Sequence, residues 1–265
     1  MFLGGVGTNT INGALQNGSQ QARLQVSGGT WVLTNTNTYN GVTTIATNGS
    51  LVVNGSIGVG AVTVQSGGKM SGNGTVLGAT TVQAGGTLAP GTSVGTLTIS
   101  NNLSLAGTAG MEIARNGAVL TKDQVVGINT LTYGGTLVVT NIGGSPLQVG
   151  DSFQLFAATS YAGAFASIVY PAGYTFTDNL ATSGTITVLT APVTTPPTLT
   201  YVPSGGNWVF TWVGGGFKLQ TQTNILTVGL GTNWVDVAGG NTSGVSVPAP
   251  IAGNPAVFFR LISTL

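Results

Sequence analysis

A short stretch in the middle of the chain recurs almost unchanged. Residues 64–71 read Val-Gln-Ser-Gly-Gly-Lys-Met-Ser, and 18 residues later positions 82–89 read Val-Gln-Ala-Gly-Gly-Thr-Leu-Ala. Upstream, residues 48–51 (Asn-Gly-Ser-Leu) and 28–31 (Gly-Gly-Thr-Trp) match the same step at distances of 19 and 20 residues. Because self-similarity at a fixed period is the signature of repeat architectures, the sequence predicts a stack of similar units.

The period of the repeat favours strands over helices. A unit of 18 to 20 residues has the length of about three short strands with their turns. Short runs of Val, Ile, Leu and Thr alternate with Gly-Gly, Asn-Gly and Ser-Gly dipeptides, which are turn signals. Gly and Thr interrupt every 3.6-residue pattern. We therefore predict an all-β fold in which each unit is one turn of a parallel β-solenoid.

Alignment of the repeats predicts two columns of inward-facing side chains. Adjacent units would pair through backbone ladders about 4.8 Å apart, and stability would come from the stacking of neighbours, because one unit alone buries too little. The first column comprises Val26, Ile45, Val64 and Val82, and the second comprises Trp31, Leu51, Met70 and Leu88.

Parts of the chain resemble a known repeat family. Residues 28–33 (Gly-Gly-Thr-Trp-Val-Leu) and 37–44 (Asn-Thr-Tyr-Asn-Gly-Val-Thr-Thr) resemble the autotransporter-associated β-strand repeat, also called the passenger-associated transport repeat. Its motif runs approximately Gly-Thr-Leu-x-Leu, a gap, then Asn-Thr-Tyr-x-Gly-x-Thr. Residues 88–97 are similar to the Pro-Gly-x-Ser-x-Gly-Thr-Leu step of such passengers, and residues 123–126 and 150–156 are similar to their closing turns.

The resemblance covers about residues 8–190. It implies that residues 1–190 form a right-handed parallel β-helix (β-solenoid) in a secreted bacterial protein, located outside the cell or on the cell surface. The sequence leaves no room for the membrane translocator domain that such passengers often carry. Because residues 1–7 lack the positive charge and the apolar run of a signal peptide, we expect the export signal to lie outside this sequence.

The C-terminal part has a different composition. Residues 191–198 (Ala-Pro-Val-Thr-Thr-Pro-Pro-Thr) are typical of a stiff linker. Residues 199–265 are predicted to form a small antiparallel β-sandwich, loosely similar to a fibronectin type III or immunoglobulin domain. They also resemble a terminal module of secreted bacterial repeat proteins that ends in Phe-Arg-Leu. Further strands are predicted at residues 217–221, 234–237 and 257–261.

Large aromatic residues alternate along one predicted strand of this module. Trp208, Phe210 and Trp212 have a spacing of two, which places them on one face of the strand. The favoured interpretation is a hydrophobic core. The alternative is a platform on which sugars stack.

The composition excludes much enzyme chemistry. The 265 residues contain 6 Lys+Arg, 5 Asp+Glu, no His and no Cys. The usual ligands of zinc, copper, haem and iron–sulfur clusters are therefore missing, as are Ser-His-Asp and Cys-His catalytic sets. Six scattered cations do not make a nucleic-acid surface. No apolar run has the length of a spanning helix. We predict no catalytic residues, no metal and no cofactor, and we expect neither nucleic-acid binding nor membrane insertion.

The charged residues are few but not evenly spread. Four of the eleven fall within twelve residues, namely Glu112, Arg115, Lys122 and Asp123. We interpret them as a solvated ion-pair patch, with a catalytic or ion-binding site as the alternative. Asp151, Asp178 and Asp236 adjoin turn residues and are interpreted as turn formers, with a calcium site from Asp151 and Asp178 as the alternative. Without His, we expect no group to titrate near neutral pH.

These observations favour a non-catalytic extracellular structural protein, either a surface stalk or a self-assembling fibre subunit with an adhesive role. The alternatives are a carbohydrate-binding or adhesin module, which would contact surface glycans, and a polysaccharide-active enzyme. Residues 2–21 contain no charge and no proline, so nothing protects an edge strand there. We therefore expect head-to-tail self-association by β-strand addition. The alternative is that this segment is the first unit of a longer chain.

Overall fold

The computed structural model describes residues 1–192, 197–214, 216–224, 229–249 and 256–263. The chain divides into two compact units, Met1–Ala191 and Pro192–Leu265. Positions 193–196 of the predicted linker lie outside the described residues.

Strands make up almost all of the regular secondary structure of the first unit, as its Gly-punctuated runs of β-branched residues predict. Its elements are β1 Phe2–Leu3, β2 Thr8–Ile11, β3 Leu24–Val26, β4 Gly29–Leu33, β5 Thr43–Ile45, β6 Gly49–Val53, β7 Ser56–Ile57, β8 Val62–Val64, β9 Lys69–Gly72, β10 Thr75–Val76, β11 Thr80–Val82, β12 Thr87–Pro90, β13 Thr96–Ile99, β14 Leu103–Leu105, β15 Thr108–Asn116, β16 Val119–Lys122, β17 Gln124–Tyr133, β18 Thr136–Asn141, β19 Ser152–Gln154, β20 Phe156–Gly163, β21 Ser167–Val169, β22 Thr175–Asn179, α1 Leu180–Ser183 and β23 Thr185–Thr190.

Two large sheets, formed mainly by parallel pairing, organise these strands. The first sheet has the order β1-β3-β5-β8-β11-β14-β17-β13-β10-β7, with β20 also paired to β17. The second has the order β2-β4-β6-β9-β12-β15-β18-β21, with β16 also paired to β15. From β1 to β14, each strand pairs with strands about one repeat away in the chain and not with the strand that directly follows it. The all-β prediction is confirmed.

The two predicted columns are confirmed by the pairing register. In the first sheet Val26 pairs with Ile45, Ile45 with Val64, and Val64 with Val82. In the second sheet the paired residues are Trp31, Leu51, Met70 and Leu88, in that order. All of these side chains are buried except that of Trp31, which is partly exposed. Since side chains alternate along a strand, this register keeps every apolar residue of the column on the inner face.

Glycine allows neighbouring segments to approach closely beside the columns. A Cβ atom placed on Gly58 would lie 1.8 Å from the carbonyl oxygen of Tyr39, far inside van der Waals contact. Tyr39 is itself buried, and its hydroxyl lies 2.6 Å from the Thr43 hydroxyl. Glycine at position 58 is thus required by packing.

The prediction of parallel pairing throughout residues 1–190 is wrong for two parts of the first unit. Strand β16 pairs antiparallel with β15, because Gly117 and Ala118 form a two-residue turn in which Gly117 has a φ of 64°. Strands β19, β23 and β22 form a separate antiparallel sheet. Here the one-turn helix α1 and the left-handed Gly184 reverse the chain within a few residues, and so short a connection cannot make a parallel crossover.

The second unit contains β24 Thr200–Ser204, β25 Asn207–Thr211, β26 Phe217–Asn224, β27 Val235–Asp236, β28 Val245–Pro248 and β29 Ala256–Ser263. Within its described residues these strands form two three-stranded antiparallel sheets, β24-β25-β28 and β27-β26-β29. The predicted antiparallel pairing is confirmed. Side chains of both sheets share one hydrophobic cluster, in which the rings of Phe210 and Phe259 lie 4.3 Å apart.

Candidate binding cleft

A cleft of about 200 Å³ lies on the outer face of the second sheet. Thr108, Gly110 and Glu112 of β15 are less buried than Ala109, Met111 and Ile113 between them, which belong to the hydrophobic core. The alternation identifies the outer face of this strand. The residues that line the cleft are Lys69, Ala89, Pro90, Thr92, Ser93, Gly110, Met111, Glu112, Asp123 and Thr140.

One wall of the cleft is a loop that leaves the sheet after β12. The N–H groups and carbonyl oxygens of Gly72 and Gly91 exchange hydrogen bonds of 2.9 and 3.0 Å, and Gly91 has a φ of 77°, a conformation that glycine adopts without strain. The chain then continues through Thr92 and Ser93 to Gly95, whose N–H donates to Asp123 Oδ1 over 2.8 Å. The two ends of the loop are thereby fixed.

Asp123 is buried at the base of this wall, with 1% of its surface exposed. Its Oδ2 accepts a 2.8 Å hydrogen bond from the N–H of Glu112, and its own N–H donates to the Glu112 carbonyl oxygen over 2.7 Å. Burial raises the pKa of Asp123 to about 6, and the nearby Glu112 charge acts in the same direction, against the two backbone hydrogen bonds. The expectation that nothing titrates near neutral pH is therefore wrong for this carboxyl group.

Glu112 presents an unpartnered acceptor. Its Oε2 is shielded from solvent and has no hydrogen-bond partner. An acceptor in this position costs free energy unless a donor reaches it. Gly110 lies two residues before Glu112 on β15 and leaves the floor of the cleft open. A Cβ atom placed on Gly110 would meet only the Leu88 carbonyl oxygen, at 4.0 Å. The cleft therefore combines open space with an unsatisfied carboxylate oxygen.

The predicted ion-pair patch is not formed as interpreted. Glu112 and Asp123 line the cleft, whereas Arg115 pairs with Asp151, with side chains only 14% and 8% exposed. Lys122 lies opposite Ile113 in the β15–β16 hairpin and does not line the cleft. The interpretation failed because the sequence could not show that Gly95, 28 residues away, supplies a hydrogen bond to Asp123.

The remaining acidic residues behave largely as turn formers. Asp151 Oδ2 accepts a 2.7 Å hydrogen bond from the N–H of Gln148, and Asp178 Oδ1 accepts one of 2.8 Å from Leu180. Asp236 instead lies in β27 and pairs with Lys218 at 2.7 Å. In the described part of the chain, no three acidic, His or Cys side chains converge as metal ligands do.

The aromatic strand of the second unit contributes to its core, as the favoured interpretation predicted. Phe210 and Trp212 are buried, and Trp208 packs against the same cluster. Tyr201 is the most exposed of the neighbouring rings, and its ring centre lies 5.0 Å from that of Trp208. Because Phe210 and Trp212 are buried, these two rings are not available as a platform on which sugars stack.

A polar network on β26 was missed. Arg260 Nε and Nη2 donate to Gln220 Oε1 over 2.9 and 2.8 Å, and Gln220 Nε2 donates to Asp236 Oδ1 over 2.7 Å. The Arg260 guanidinium also lies 4.2 Å from the centre of the Trp234 ring. Lys218, Gln220 and Gln222 occupy every second position along the strand. This spacing places three polar side chains on one face and is the sequence feature that could have predicted the network. Gln220 therefore links Arg260 to Asp236 through hydrogen bonds that it both accepts and donates.

No model of a protein family matches the chain, and no curated protein matches its sequence. Across the described residues, no helix has the length and apolar character needed to cross a membrane.

Proposed function

We propose that the chain is a non-catalytic structural protein outside the cell, acting as a surface stalk or as the subunit of a self-assembling fibre. In this proposal the first unit is a right-handed β-solenoid of the autotransporter-associated repeat type. The observation that carries the proposal is the constant register of Val26, Ile45, Val64 and Val82 through four successive parallel strands.

Such a register suits a mechanical role. Each strand of the column is tied to the next by backbone hydrogen bonds at a separation of about 4.8 Å. The side chains of this column are apolar and fully buried. Length then follows from the number of units, and each unit is held by its neighbours. A location outside the cell rests on the resemblance of residues 28–44 to secreted repeats.

Assembly is supported by the two ends of the second sheet. Strand β2 terminates the sheet at one end and β21 terminates it at the other. Because all strands between them are parallel, β2 of a second copy could pair beside β21 in the same direction. This head-to-tail contact is heterologous and does not close, so repetition makes a filament.

The edge of β2 is unprotected. The carbonyl oxygens of Gly7 and Ile11 accept hydrogen bonds from Thr30 and Thr34 of the neighbouring segment. In a parallel ladder alternate residues bond to opposite sides, so the N–H of Thr10 points to the free edge. Nearby Phe2 and Val6 are 67% and 92% exposed. Exposed apolar groups beside a free edge are what strand addition requires.

The test is Thr10→Pro, which removes one N–H from the free edge and leaves the bonds to β4 intact. Thr10→Val is the matched control, because it keeps the N–H and the β-branched shape. Light scattering and negative-stain microscopy should show filaments for the wild type and for Thr10→Val, and shorter or no filaments for Thr10→Pro. A wild-type chain that stays monomeric at high concentration contradicts the fibre proposal and leaves only the stalk.

A further inference from the structure

We propose that the cleft on the second sheet binds one ring of a neutral, hydroxyl-bearing sugar. The motivating juxtaposition is an unpartnered Glu112 oxygen beside the buried Asp123 carboxyl group, over a floor left open at Gly110. The inference does not depend on fibre assembly, because no cleft residue belongs to β2 or β21.

The chemistry of the lining selects the ligand class. Glu112 offers the unpartnered Oε2 as an acceptor, and hydroxyl donors form short, charge-assisted hydrogen bonds with a carboxylate. Lys69 contributes a cationic donor, while Thr92 and Ser93 contribute hydroxyl groups that donate or accept. A neutral sugar presents many hydroxyls that are both donors and acceptors, so it matches this mixture.

Other ligand classes fit less well. An anion would be repelled by two carboxylates, which outnumber the single lysine in the lining. A calcium ion prefers six to eight oxygen ligands, and both Asp123 oxygens already accept backbone hydrogen bonds. Nucleobases and other flat rings lack a partner, since none of the residues that line the cleft is aromatic.

The dimensions limit the ligand to a single small ring. Pockets for drug-sized molecules measure roughly 300–1,000 Å³, whereas this cleft measures about 200 Å³. Pro90 and Ala89 supply apolar contacts. A site with few apolar contacts should bind weakly, with a Kd of about 1 mM for a free monosaccharide. Repetition along a fibre would increase the apparent affinity by avidity.

The experiment begins with an array of neutral, amino and acidic glycans, probed with the purified full chain. The best neutral monosaccharide is then titrated by NMR or calorimetry. Gly110→Val fills the floor, and the absence of close contacts around Gly110 means that the variant should fold. Glu112→Gln removes the charged acceptor but leaves the backbone N–H that bonds Asp123. Each variant should weaken binding at least about 10-fold. Thr81→Val, on the outer face of the first sheet, should bind as the wild type does.

Thermal unfolding of each variant separates misfolding from loss of the site. The proposal is overturned if no neutral sugar binds. It is also overturned if the chain binds only acidic glycans, or binds only calcium ions when calcium chloride is added. It is also overturned if folded Gly110→Val binds neutral sugars as tightly as the wild type, since binding then lies elsewhere. Neutral-sugar binding that is lost in both cleft variants and kept in Thr81→Val supports it.

Discussion

Val64 is paired with Val82 in parallel register, and neither side chain is exposed to solvent. The residues that precede them on the two strands face outward: Thr63 and Thr81 pair in the same ladder, and Thr63 is partly exposed and Thr81 exposed. Stability should therefore reside in the inner columns.

Truncation of a column residue should be costly. Leu88 is fully buried between Met70 and Ala109 of neighbouring strands. We expect Leu88→Ala to reduce the free energy of unfolding by about 2–5 kcal/mol, because it leaves a cavity. The adjacent outward-facing Thr87→Ala should change it by less than about 0.5 kcal/mol. Urea titration measures both, and equal effects would contradict the column arrangement.

Close approach at Gly58 should make it intolerant of a side chain. Since a Cβ there would lie 1.8 Å from the Tyr39 carbonyl oxygen, Gly58→Ala must displace backbone, and we expect a loss of at least about 2 kcal/mol. Gly110→Ala is the matched substitution at an open position. It should be neutral or stabilise by about 0.4–1 kcal/mol, because it restricts the unfolded chain. Melting temperatures that fall equally in both variants would refute the packing argument.

Stability should depend on pH through Asp123. Burial raises its pKa to about 6, whereas an exposed Asp has a value of about 3.9. The folded state therefore holds the proton of Asp123 more tightly than the unfolded state does. The stabilisation of the folded state by this proton is fully present below about pH 4 and is lost as pH rises through about 6. The loss should reach at most about 3 kcal/mol. Urea unfolding at a series of pH values should show this slope in the wild type and not in Asp123→Asn. Stability that rises between pH 4 and 6 in the wild type would oppose the assignment.

The two ion pairs should differ in importance. The side chains of Arg115 and Asp151 are 14% and 8% exposed, whereas those of Lys218 and Asp236 are 29% and 55% exposed. We expect Arg115→Met to cost about 3 kcal/mol, because it leaves a shielded carboxylate without its cation. Lys218→Met should cost less than about 1 kcal/mol. Chemical denaturation of the two variants decides the order, and a larger loss for Lys218→Met would reverse it.

The strand columns could be predicted from the sequence because their determinants are local and repeated. Val64 and Val82 are each followed by Gln, a small residue and Gly-Gly. The recurrence of this pattern after 18 residues is enough to align residue 64 with residue 82. The cleft could not be predicted, because it depends on contacts between the repeated segments and residues outside the repeat. Asp123 is buried by a loop that begins at Gly91, and Glu112 acquires its significance only from the neighbouring space over Gly110.

The antiparallel portions illustrate the same limit. The Asn116-Gly117 dipeptide carries a hairpin signal, yet such dipeptides also occur in the parallel turns, so composition alone did not distinguish the two. The reversal between β22 and β23 depends on Leu180, whose carbonyl oxygen accepts hydrogen bonds from the Tyr133 hydroxyl and the Gly184 N–H. A contact across 47 residues is not visible in a local pattern.

The shared register of β5, β8 and β11 also shapes how the gene can change. A tandem duplication of the codons for residues 64–81 would add a layer whose strands find the same partners above and below. A duplication that shifts the strand register by an odd number of residues would turn the buried valines toward solvent. Inheritable length variation in this protein should therefore occur in whole repeats, each of which lengthens the stack by about 4.8 Å.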